Sequence, residues 1–148
     1  MWLDALGYRT ALIGKYQLGY GLTGASAPST YIPPGWEEWH AIAGVANYYN
    51  YTLNQNGVLV PYGNAEQDYQ TDVLAGLAVD FISEVAVDPR PFFMYLAPSS
   101  PHSPFTPAPR HAGLMSGEVP PLSLSFNEAD VSDQPSWVLA MPLLTQTE

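Results

Sequence analysis

The chain has 148 residues, nearly half of them apolar, enough for one modest domain that folds around its own core. Its formal net charge is -10 with only four lysines and arginines, which argues against a nucleic-acid partner, because that needs a basic patch. It has no cysteine, so disulfides, zinc–thiolate sites and thiol nucleophiles are excluded within it.

Residues 1–7 read as the last turns of a helix stopped by Gly7 at its C-terminal cap. No basic segment followed by an apolar stretch opens the chain, and no run approaches the ~18 apolar residues of a membrane span. So bare a start suggests an internal fragment. Thr10-Ala11-Leu12-Ile13 is a short apolar run, expected as a buried strand, and it ends at Gly14-Lys15-Tyr16. Lys15 is the only lysine. Residues 19–34, rich in Gly, Ser and Pro, predict a surface loop. Trp36 and Trp39 follow with His40; aromatic pairs of this kind usually pack a core, although they can stack on a sugar ring.

Residues 48–62 predict a hairpin. Tyr49, Tyr51 and Leu53 alternate with Asn50, Thr52 and Asn54, Asn56-Gly57 is a strong turn signal, and Val58-Leu59-Val60 returns. Asn50-Tyr51-Thr52 is also an N-glycosylation triplet, which matters if a eukaryote secretes the protein. Residues 68–87 predict the clearest helix. Asp68 stands as N-cap, and Tyr69, Val73, Leu74, Leu77, Phe81, Ile82 and Val85 form an apolar stripe. Asp72, Asp80 and Glu84 form a solvated face, and Asp88-Pro89 stops the helix.

Phe92-Phe93-Met94-Tyr95-Leu96-Ala97 is a continuous apolar run, which predicts a strand buried on both faces, as in a parallel sheet. The stretch from Pro98 to Pro109 then holds five prolines and one imidazole, His102. Ligands of open α/β sheets bind beyond the carboxyl ends of the strands, so both Lys15 and His102 stand where chemistry is usually done. Residues 111–125 read as a loop and residues 126–135 as polar turns. Residues 136–144 can hold one short helix, cut by Pro142.

Three of these segments resemble one family, the formylglycine-dependent sulfatases of the alkaline-phosphatase superfamily. Gly7-Tyr8-Arg9-Thr10-Ala11-Leu12-Ile13-Gly14-Lys15 is similar to the family's strand that ends in Gly-Lys. Tyr48-Tyr49-Asn50-Tyr51-Thr52-Leu53, with Asp68-Tyr69-Gln70-Thr71-Asp72-Val73-Leu74-Ala75, is similar to the N-acetylglucosamine-6-sulfatase branch. Ala97-Pro98-Ser99-Ser100-Pro101-His102-Ser103-Pro104 resembles the family's strand-end Pro-His-Ser-Pro. Residues 126–133 extend the likeness. Each motif is short, and their shared order and spacing carry the signal.

The resemblance implies a partial alkaline-phosphatase-like α/β sandwich, with mainly parallel strands, one long covering helix and long loops. It implies hydrolysis of sulfate esters on sulfated sugars such as glycosaminoglycans. Lys15 would stabilise charge on the sulfate, and His102 would hold a sulfate oxygen or protonate the departing sugar oxygen. Many members place a second histidine where Gln17 stands, and the glucosamine-6-sulfatase branch need not. The family's formylglycine nucleophile and most of its calcium ligands would lie outside these residues. The chain is thus expected to be one segment of a single catalytic domain, inactive alone, from a secreted, periplasmic or lysosomal enzyme. Two other readings are a phosphodiesterase of the same superfamily and a non-catalytic remnant that binds glycans through Trp36 and Trp39.

Overall fold

A computed structural model of the chain describes residues 2–22, 24, 28–119 and 121–144. Met1, part of the predicted 19–34 loop, Pro120 in the predicted 111–125 loop and the last four positions therefore lie outside the described residues. Two compact units divide the chain, Met1–Ala112 and Gly113–Glu148.

The first unit is built on the predicted Thr10–Ile13 run. It forms strand β1, Arg9–Gly14, after a one-turn helix α1, Trp2–Ala5, and the turn at Gly7. Every residue of β1 after Arg9 is buried. The reason is its position. β1 lies between β2, Glu38–Ile42, and β5, Phe92–Ala97, parallel to both. The predicted hairpin forms β3, Tyr51–Gln55, and β4, Val58–Tyr62, and adds to β2 in antiparallel fashion, giving the order β4-β3-β2-β1-β5. Parallel pairing thus holds in the β2-β1-β5 half, and the whole sheet is mixed. At the hairpin tip Asn56 and Gly57 both have positive φ, as a two-residue primed turn requires.

Alternation splits the core in two. Ala11 and Ile13 face helix α2, Gln70–Val85, and pack on Leu74, Ala78, Phe81 and Val85. Leu12 points the other way, into a cluster with Tyr20, Trp39 and Ala41. The helix departs from expectation in two respects. Its buried stripe is Gln70, Leu74, Ala78, Phe81 and Val85, while Ile82 is 43% exposed. Asp68 does not cap it. Asp68 closes the preceding 3-10 turn, Glu66–Asp68, by accepting the Ala65 amide at 3.1 Å. Tyr69 rather than Asp68 stands at the N-cap position of α2.

Strand β5 corrects the sequence reading most. Phe92, Phe93, Tyr95 and Leu96 are all more than a third exposed. β5 pairs with β1 alone and forms the sheet's edge, so its apolar composition, equal to that of an interior strand, lacks a second neighbour. The β2 strand was not foreseen, because residues 36–40 read as an aromatic pair. Trp39 is fully buried, and its indole N–H donates to the Tyr20 hydroxyl at 3.1 Å.

At the amino end of β1 an ion-pair network ties strand, helix end and loop together. Arg9 pairs with Glu37, with Glu84 at 2.7 Å and with Asp88 at 3.2 Å; Arg90 joins Asp88 at 2.9 Å and Glu37 at 3.2 Å. Glu84 is therefore engaged rather than merely solvated. The Arg90 guanidinium and backbone amide hold the Asp88 carboxyl well below the usual carboxylate range.

The second unit consists of turns and a one-turn helix α3, Ser136–Leu139, which ends before Pro142. Asn127 grips Leu144 with both ends of its amide, accepting its N–H at 2.8 Å and donating to its carbonyl at 2.9 Å.

Candidate functional site

The exits of β1 and β5 are hydrogen-bonded neighbours. Gly14 pairs with Ala97, and the Lys15 amide donates to the Ala97 carbonyl at 2.8 Å. Gly14 sits at φ +115°, and a Cβ there would stand 2.2 Å from the Ala97 oxygen. Only glycine lets the two strands close at this point. Because the strands run in the same direction, Lys15 and the loop that begins at Pro98 leave from one edge of the sheet.

The Lys15 side chain is exposed at this edge. Among the described residues each arginine is paired with a carboxylate, whereas Lys15 is in no ion pair. On a chain of net charge -10 this leaves one uncompensated ammonium at a strand exit, a local centre for an anion. Gln17 is exposed as well. Lys15, Tyr16, Gln17, Ile42 and Gly44 help to line a depression of about 210 Å³.

His102 is exposed in the loop after β5, in a tight backbone. The peptide bonds Ser100–Pro101 and Ser103–Pro104 are cis. The His102 amide donates to the Ser99 carbonyl at 2.8 Å, and the Phe105 amide donates to the His102 carbonyl at 3.0 Å. The ring Nδ1 lies 2.8 Å from the Ser103 carbonyl. A carbonyl only accepts, so Nδ1 carries the hydrogen and Nε2 is the free nitrogen.

Four tethers fasten this loop to the rest of the unit. The Ser99 amide donates to the Gln70 side-chain oxygen at 3.1 Å. The Tyr48 hydroxyl donates to the His102 carbonyl at 2.5 Å, and the Tyr69 hydroxyl to the Thr106 carbonyl at 2.9 Å. Arg110 makes a two-pronged pair with Asp72, at 2.6 and 2.8 Å. Asp72, expected on a solvated face, is thus an anchor, and its carboxyl is held below the usual range by the Arg110 guanidinium. None of Tyr48, Tyr69, Gln70 or Arg110 stood out in the sequence for this role. Their signal was present only as the Tyr48–Leu53 and Asp68–Ala75 likeness.

The other candidates lie elsewhere in the first unit. Asn50 is exposed at the start of β3, with φ 52°, and its amide donates to the Gly63 carbonyl at 2.8 Å. His40 is packed in β2 beside Glu38 at 3.2 Å, and burial pushes its ring towards the neutral form. Trp39, being fully buried, has no face to offer a sugar.

A family model described as Sulfatase matches residues 1–126. The chain belongs to the sulfatase family. It is 39% identical over 122 residues to the human N-acetylglucosamine-6-sulfatase, covering 82% of this chain and 22% of that protein. It is 30% identical over 141 residues to the extracellular sulfatase SULF-1 homolog of Drosophila melanogaster, covering 93% of this chain and 12% of the relative. A solved complex with the substrate D-glucosamine-2-N,6-O-disulfate superimposes with a TM-score of 0.62 at 27% identity, covering 82% of this chain and 22% of that one. The chain therefore spans about a fifth of the length of several relatives, 19% to 22%. Five mixed strands with helices are the α/β architecture that the family implies. Among the described residues no group of three or more His, Asp or Glu side chains is placed to hold a metal ion.

Proposed function

We propose that this sulfatase segment supplies one wall of a pocket that hydrolyses sulfate esters of sulfated sugars. The single observation that supports it most is the unpaired Lys15 ammonium at the exit of β1, beside the exit of β5. A sulfate leaving its sugar spreads negative charge over its oxygens, and a neighbouring ammonium stabilises that charge as it develops. His102 supplies Nε2, which once protonated donates to a sulfate oxygen or hands its proton to the departing sugar oxygen. Gln17 offers an amide on the same rim to the sulfate or the sugar. Relatives named for N-acetylglucosamine-6-sulfate chemistry favour an amino-sugar 6-sulfate as substrate.

We further propose that these residues form one segment of a larger catalytic domain, whose remaining parts bring the formylglycine nucleophile and the calcium ligands. The location is secreted, periplasmic or lysosomal, supported by the extracellular relative in Drosophila. No described helix is long and apolar enough to cross a membrane. In a eukaryotic secretory route Asn50 is the glycosylation position, with its side chain exposed.

Calorimetric titration with glucosamine 6-sulfate tests the pocket. Binding is expected, and Lys15→Ala is expected to weaken it by at least about tenfold, since a hydrogen bond to a charged group is worth about 1.5–3 kcal/mol. Equal binding by wild type and Lys15→Ala would refute the assignment. The 148-residue chain is expected to show no turnover of an aryl sulfate. Turnover that disappears in Lys15→Ala would show that these residues suffice for catalysis.

A further inference from the structure

We propose that Tyr48 is a positioning residue for His102, acting from a frame that Gln70 holds rigid. The proposal rests on the reading of His102 as part of the sulfate pocket. Within its loop His102 is held by turn bonds to Ser99 and Phe105 and by its own ring contact with Ser103. Those bonds move with the loop. Among the described residues, the Tyr48 hydroxyl is the hydrogen bond that joins residue 102 to a segment outside it. The phenol is 5% exposed, and its ring stacks on Tyr69 at 5.9 Å and 15°. Its hydroxyl therefore has a fixed position.

Gln70 fixes the frame. It is fully buried, and its backbone amide, side-chain nitrogen and side-chain oxygen each make a hydrogen bond. Its backbone amide donates to the Tyr48 carbonyl at 2.9 Å. Its side-chain amide donates to the Asn47 carbonyl at 2.6 Å, and its side-chain oxygen accepts the Ser99 amide at 3.1 Å. One carboxamide thus links the segment that carries Tyr48 to the first residues of the His102 loop. A carboxylate in its place could not donate to Asn47, and an aliphatic group would leave both partners unmatched in a buried site. The tethers at Ser99 and His102 both hold backbone groups, so they set where the loop runs without constraining which side chains it presents. The hydroxyl reaches the one residue of the loop that carries an imidazole. Misplacement of a reacting group by about 1 Å can cost on the order of 100-fold in rate, so such a fixed point has functional weight.

NMR of the chain with isotope-labelled histidine, titrated with glucosamine 6-sulfate, tests this. In Tyr48→Phe the His102 ring resonance is expected to move while those of His40 and His111 stay, and affinity is expected to fall roughly three- to tenfold. Gln70→Glu should act in the same direction, and Gln70→Asn should not restore the wild-type resonance, because its shorter arm cannot span both partners. An unmoved His102 resonance in Tyr48→Phe overturns the proposal without reference to any ligand. Movement of all three histidines together overturns it too, since that reports general loosening. If the His102 resonance alone moves but His102→Ala binds the sugar as wild type does, the positioning bond stands, and the reading of His102 as a pocket residue is what fails.

Discussion

Gly14 shows how much one residue can decide. Its positive φ and the 2.2 Å approach that a Cβ would make to the Ala97 oxygen mean that alanine meets backbone, which cannot swing aside as a side-chain tip can. Gly14→Ala is expected to cost on the order of 2–4 kcal/mol, read from urea unfolding. A loss below ~1 kcal/mol would show that the two strand exits are not held together as described. In the sequence Gly14 is visible only as the residue before a lone lysine. Lys15 and His102 were legible as candidates because each follows an apolar run. Tyr48 and Gln70 were not, because a buried phenol and a buried amide look like ordinary core until their partners, distant in the chain, are known.

Among the elements, helix α2 works at both of its faces and at its first turn. Its stripe of Leu74, Ala78, Phe81 and Val85 packs beneath β1. Leu74→Ala is expected to cost about 2–5 kcal/mol in the same unfolding measurement. Its first turn carries Gln70 and Asp72, which fasten the loop after β5. Arg110→Ala is expected to speed amide hydrogen exchange in residues 99–110 while the middle of α2 keeps its protection. Uniform acceleration in both would mean that the loop and helix open as one unit. The hairpin and the helix were readable because their signals are local: Asn56-Gly57 for one, a three- and four-residue spacing for the other. The helical face holds for Tyr69, Val73, Leu74, Leu77, Phe81 and Val85, and Ile82 alone of the expected stripe is exposed. Strand β5 was misjudged: apolar composition reports what a strand could bury, and only its place at the sheet's edge sets what it does bury.

At the scale of the molecule, acidity bears on the first unit through its ion pairs. Asp88 and Asp72 both have carboxyl groups held below their ordinary range, by Arg90 and Arg110 respectively. A depressed folded value means that the stabilisation is complete above the unfolded value, near about 4, and is lost as pH falls through the folded values. The melting temperature is therefore expected to hold from neutral pH to about 5 and to decline below about 4. A level melting temperature down to about pH 2 would contradict this. Composition, turn dipeptides and the order of three short motifs were enough to recover the α/β class and the family and to nominate the two strand-end candidates, because each of these is written within a few adjacent residues. The strand order, the exposed edge at β5 and the tethers that hold the His102 loop depend on residues far apart in the chain, 83 positions for the Gly14–Ala97 pair and 54 for the Tyr48–His102 bond. Such contacts exist only once the sheet and α2 have brought their partners into hydrogen-bond range, and no local pattern encodes that meeting.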